Sequence, residues 1–174
     1  MGPDRSSTDE RGDLPRDGGE VSGLAVDLGL RTGLALYGGD GRLIWYRSQH
    51  FGSAATLRRG VLAVVRGLPA LAWLVAEGDR ALAEIWGREA KRQGATVHVI
   101  GAEVWRRRLL HAREQRAGED AKRAADRLAR RVIAWSGAPS PTSLRHDAAE
   151  AILIGLWGVL EAGWLERLPP ELGR

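Results

Sequence analysis

Between residues 23 and 100 the hydrophobic pattern changes period in a fixed order, and that order limits the fold more than any other feature of the chain. Residues 23–28 and 33–37 are short apolar runs, the first carrying Asp27 near its end. Gly38-Gly39-Asp40-Gly41 is a hairpin signal, and 42–47 is a third β-rich run with Trp45 and Tyr46. Together they predict a three-stranded antiparallel meander. From Ser53, an N-cap residue type, apolar positions at Leu57, Val61, Leu62, Val64, Val65 and Leu68 follow a helical period until Gly67 and Pro69 intervene. A continuous apolar run over 71–76 ends in Glu77, a helix is expected over 80–93 with Gly94 as its stop, and 96–100 is the next strand. Helical crossovers between the last strands require them to run parallel, so the chain predicts an α/β fold with a five-stranded mixed sheet flanked by helices.

Beyond Gly101 the pattern is helical. Ala121, Ala124, Ala125, Leu128, Ala129, Val132 and Ile133 make one apolar face, with Lys122, Arg123, Asp126, Arg127, Arg130 and Arg131 opposite. A Pro- and Ser-rich break at 136–141 separates this helix from a last one over about 146–164, apolar nearly all round and therefore expected against the sheet. Residues 1–20 show no apolar periodicity and are expected to be a disordered tail. The folded domain is expected over 21–168, with 169–174 as a flexible end.

The 174 residues fit one domain. The absence of cysteine excludes disulfide scaffolds, thiolate metal sites and cysteine nucleophiles, and the four histidines never stand at metal-ligand spacing. Any metal must rest mainly on oxygen ligands, which points to hard cations such as Mg²⁺ or Mn²⁺. The longest uncharged apolar run, 151–160, is ten residues, half of the roughly 20 that span a bilayer. No signal-peptide core follows Met1, so the expected compartment is the cytoplasm, in association with the nucleoid if the partner is DNA. Residues 1–20 carry a net charge of −3 within a total of +4, leaving +7 on residues 21–174. Twenty-four of the 26 basic residues are Arg, a residue whose flat fork suits phosphate oxygens, although a GC-rich genome produces the same bias. The basic body argues for a polyanionic partner.

Four acids carry the chemistry. Asp27 and Glu77 each sit at the carboxyl end of a hydrophobic strand, the edge at which ligands gather in open sheets. Asp147 and Glu150 lie three apart at the start of the last helix and share one face of it. If that helix end abuts the two strand mouths, four carboxylates converge, and two divalent cations about 3.5–4 Å apart would satisfy them. Each residue also has a structural reading: Asp27 as an Asx-turn residue before Gly29, Glu77 as the end of a strand before Gly78, and Asp147 with Glu150 as a helix cap and its partner.

The order Asp27-x-Gly29-x-x-Thr32-Gly33, then Val75-Ala76-Glu77, then His146-Asp147-Ala148-Ala149-Glu150-Ala151 resembles the RuvC family of Holliday-junction resolvases within the ribonuclease H-like superfamily, over about residues 22–163. The resemblance implies a ribonuclease H-like fold and a Mg²⁺-dependent endonuclease, with Mn²⁺ able to substitute, acting on four-way DNA junctions as a homodimer. Asp27, Glu77, Asp147 and Glu150 would hold two metal ions, with Asp27 bridging them and Glu150 replacing a more usual Asp. Lys122 and Arg106 would contact the scissile or adjacent phosphates. The stretch 106–131 holds ten basic and four acidic residues, and Arg107, Arg108, Arg113, Arg123, Arg127 and Arg130 would join Arg106 and Lys122 along the nucleic acid.

The chain departs from the family in three places. The segment between Glu77 and Thr96 is shorter than the one that builds the family's dimer interface, which implies a different dimer geometry. Gly78, Asp79 and Arg80 stand where an aromatic often stacks in the opened junction, leaving Trp86 or Trp105 for that role against a place in the core. The loop 107–118 is longer and richer in Arg. Two other readings stay open: an RNA-processing nuclease similar to the YqgF-like pre-ribosomal-RNA family, which lacks the glutamate ending the fourth strand, and a nucleic-acid-binding module without catalysis.

Overall fold

Strand β1 (Val21–Asp27) and strand β2 (Thr32–Gly38) contain almost no exposed side chain, because both lie in the middle of a sheet covered on its two faces. The computed structural model describes residues 21–29, 31–115 and 118–173; the expected tail over 1–20 lies outside them. Strand β3 (Leu43–Gln49) follows the hairpin at Gly38–Gly41, helix α1 (Ala54–Arg66) crosses to β4 (Ala70–Glu77), and α2 (Arg80–Arg92) crosses to β5 (Thr96–Ile100). The sheet order is β3-β2-β1-β4-β5, antiparallel from β3 to β1 and parallel from β1 to β5, the mixed sheet expected from the sequence.

Alternation along the strands divides the core. Leu24, Val26, Leu34, Leu36, Leu74 and Ala76 face α1 and α2, where they meet Val61, Val65 and Trp86. Ala25, Ala35, Tyr37, Trp73 and Val75 face the other way, onto α5 (His146–Glu161). This helix is sandwiched between the sheet and α4 (Glu119–Ser136), which explains why its sequence is apolar on every side; the Tyr37 hydroxyl anchors it by donating to the Ile152 carbonyl at 2.6 Å. Ser53 caps α1 and Asp79 caps α2 through their side chains.

Three boundaries differ from expectation. The last helix stops at Glu161 rather than near Trp164. Gly163 takes φ +71°, its N–H bonds the Leu160 carbonyl and that of Trp164 bonds the Val159 carbonyl, so the chain closes the helix in a Schellman motif and turns Trp164 back onto Trp73. Arg107 and Arg108 belong to a helix, α3 (Ala102–Leu109), not to a loop, because Trp105 and Leu109 give that segment a buried face. The expected flexible end also packs: Pro170–Leu172 form a single 3-10 turn, Leu172 is 1% exposed in the core, and Arg131 donates to the carbonyls of Glu171 and Gly173.

Candidate metal centre

Strand register builds the site. Asp27 pairs with Glu77 on one side and Gly33 on the other, and Gly33 pairs with Ser48, so these four residues form one row across the sheet. The first turn of α5 crosses that row at Gly33. A Cβ on Gly33 would lie 1.9 Å from the Asp147 carbonyl oxygen, so only glycine lets the helix come this close. The contact hangs Glu150 over Asp27 and Glu77.

Oxygen atoms of Asp27, Glu77 and Glu150 lie within 4.8 Å of one another, and all three residues are half-buried. Burial pushes the Asp27 carboxyl up to about 8, with the negative charges of Glu150, Glu77 and Asp147 acting in the same direction and the Arg106 guanidinium opposing them. Burial also raises Glu77, against which the Trp105 indole N–H donates to its carboxylate at 3.2 Å. Glu150 is held by Arg106 at 2.9 Å and approached by His146 at 3.4 Å. Asp147 stands apart from this trio, its carboxylate accepting a hydrogen bond from the Ser48 hydroxyl. The reading of Asp147 and Glu150 as a capping pair is not what the helix shows: its N-cap is Arg145 and makes no side-chain capping bond.

The basic positions differ in their surroundings. Lys122 is exposed, has no side-chain partner among the described residues, and shares a groove with Arg123, Asp126, Arg127, Leu144 and His146. Arg106 lies against the acids, stacked on Trp105, and its buried Nε has no acceptor among the described residues. Arg108, Arg123, Arg127 and Arg130 pair on the surface with Glu161, Asp120, Glu114 and Asp126, while Arg107 and Arg113 are exposed. Neither tryptophan considered for base stacking is free to do so, since Trp86 and Trp105 are both fully buried. Ser48 is a neighbour of the acids that the sequence pattern did not single out, and Trp105 and His146 touch Glu77 and Glu150 in ways it did not foresee.

Among solved structures, T. thermophilus RuvC in complex with a Holliday-junction substrate superposes with a TM-score of 0.51 at 18% identity, covering 83% of this chain and 96% of that one. The two chains share a fold. A ROK-family transcriptional regulator, a homologue of the E. coli MLC protein, covers 51% of this chain and 30% of its own at 13% identity and a TM-score of 0.38. An Aquifex aeolicus Ppx/GppA protein covers 51% and 37% at 17% identity and a TM-score of 0.34. No family model matches the sequence, and no curated protein does. Among the described residues no helix is long and apolar enough to cross a membrane.

Proposed function

We propose that the chain is a divalent-metal-dependent endonuclease that resolves four-way DNA junctions, working as a homodimer. The observation that carries this reading is the meeting of the Asp27, Glu77 and Glu150 oxygens within 4.8 Å at the carboxyl edge of the sheet, on a fold shared with a RuvC bound to a Holliday junction. The donor set fits a hard cation. All its atoms are carboxylate oxygens, and opposite ligands of an octahedral Mg²⁺ stand about 4.2 Å apart, so small side-chain adjustments suffice. Burial first, and the neighbouring carboxylates second, raise the Asp27 carboxyl, and a bound cation would favour its ionised form.

Mg²⁺ or Mn²⁺ bound here, two ions in the full site, would activate the attacking water and stabilise the leaving 3′-oxygen of a phosphodiester. Asp27, central in the row, would be shared between the two positions, with Glu77, Glu150 and Asp147 completing the oxygen set. Lys122 and Arg106 would orient the phosphate, Arg106 through its guanidinium beside the acids. Arg107, Arg108, Arg113, Arg123, Arg127 and Arg130 would follow the backbone; exposed ion pairs are worth little, so exchanging a carboxylate for a phosphate is inexpensive.

The test is a panel of labelled four-way junction, fork, RNA–DNA hybrid and single-stranded RNA incubated with the protein and Mg²⁺. Junction cleavage that stops in EDTA supports the proposal. Preferential cutting of the RNA substrates would move the assignment to RNA processing, and tight junction binding without cleavage would leave a binding module.

A further inference from the structure

We propose that Ser48 is a positioning residue that fixes the direction of the Asp147 carboxylate and, through it, the strength with which the acidic cluster holds a divalent cation. The inference deepens the metal-dependent reading above and rests on it. Asp147 is on the same turn of α5 as Glu150, yet its carboxylate lies outside the group formed by Glu150, Asp27 and Glu77. What holds it is the Ser48 hydroxyl, which donates to one carboxylate oxygen.

The backbone around this contact is fixed on both sides. The Asp147 carbonyl rests against Gly33, and Ser48 is the β3 residue directly opposite Gly33, so helix turn and strand cannot slide past each other. Only the Asp147 side-chain torsions remain free, and one hydrogen bond suffices to choose among them. The helix makes no competing demand, since no side chain caps its N-terminus. An ionised carboxylate has about four lone-pair directions; Ser48 uses one, and among the described residues no other hydrogen bond to the Asp147 carboxylate stands beside it. The remaining oxygen is free to serve a cation beside Asp27 while the first stays tied.

A hydroxyl bonded to a ligating carboxylate belongs to the class of outer contacts whose loss weakens metal binding about 10–100-fold. The experiment measures Mn²⁺ affinity from the free-ion electron paramagnetic resonance signal, with melting curves to show that each variant is folded. Ser48→Ala is expected to weaken Mn²⁺ binding about tenfold or more, and Ser48→Thr, which keeps the hydroxyl on a strand-favouring side chain, to restore it. In an Asp147→Asn background Ser48→Ala is expected to change nothing further. Equal Mn²⁺ affinity in wild type and Ser48→Ala overturns the inference, as does an undiminished Ser48→Ala effect when Asp147 is already Asn. If wild type binds no Mn²⁺ at all, the metal-dependent reading itself fails and takes the role of Ser48 with it.

Discussion

Asp27 concentrates the electrostatics of the site in one side chain. Its carboxyl titrates near 8 in the folded protein against an ordinary value of 3.8, so between those values the folded state holds a proton that the unfolded chain has released. Metal-free protein should therefore lose stability as pH rises from about 4 to about 8, and Glu77, raised in the same direction, adds to the slope. Asp27→Asn should flatten that dependence and melt higher than wild type at pH 8 in EDTA; thermal melts across this range check the sign. Because a cation must displace the proton, stabilisation by Mg²⁺ should grow over the same interval. The variant should also cut junctions at less than a tenth of the wild-type rate, a loss of at least about 1.4 kcal/mol of transition-state stabilisation, while binding them at least as well in Ca²⁺. These acids were legible in the sequence because Asp27 and Glu77 each end a recognisable strand and Asp147 and Glu150 open a recognisable helix. Ser48 was not, for a reason of register. Counting back from the hairpin turn places Arg47 opposite Gly33, but β3 carries a bulge beside Ile44, with Leu36 opposite Trp45 and Tyr37 opposite Leu43. That one-residue shift exchanges the faces of the strand and brings Ser48 into the row instead.

At the scale of elements, α5 assembles the acidic cluster, and in the proposed function α4 supplies the contacts to the nucleic acid. Gly33→Ala would drive a methyl group into the Asp147 carbonyl, which backbone cannot easily give way to. The first turn of α5 should lift, destabilising the protein by about 1–3 kcal/mol and weakening Mn²⁺ binding, although no ligand has been touched; denaturant unfolding and metal titration read the two effects. Along α4 we expect Lys122→Ala to reduce the cleavage rate far more than junction affinity, since misplacing a phosphate costs more than losing one contact to it. Arg127→Ala and Arg130→Ala should instead weaken binding and make its salt dependence shallower by about one ion each. Normal cleavage by Lys122→Ala at saturating enzyme would reduce the groove beside His146 to solvated surface. The helices and strands themselves were readable from period and caps. Their ends were less so: Trp164 continues the apolar pattern of α5 in sequence, and only the left-handed Gly163 shows that it reaches the core from the far side of a turn.

For the molecule as a whole, a mixed sheet with helices on both faces followed from the order of periods alone, because crossover helices leave few ways to connect such strands. Surface charge was less transparent. The excess of Arg is real, but five of the expected contacts are partly neutralised by acids close in space: Arg106 by Glu150, Arg108 by Glu161, Arg123 by Asp120, Arg127 by Glu114 and Arg130 by Asp126. Removing residues 1–20 raises the net charge from +4 to +7, so junction affinity should increase at low salt and the gain should vanish at high salt, as filter-binding titrations can show. The row of residues that makes the site has a consequence in time. Synthesis releases the chain from its N-terminus, so Asp27 and then Glu77 emerge well before the helix that carries Asp147 and Glu150. A chain interrupted anywhere before α5 holds at most half of the acids and lacks the helix that buries one face of its sheet. The full set of acids is thus assembled only once α5 has emerged, and a chain truncated before that helix would lack the cleavage activity proposed above.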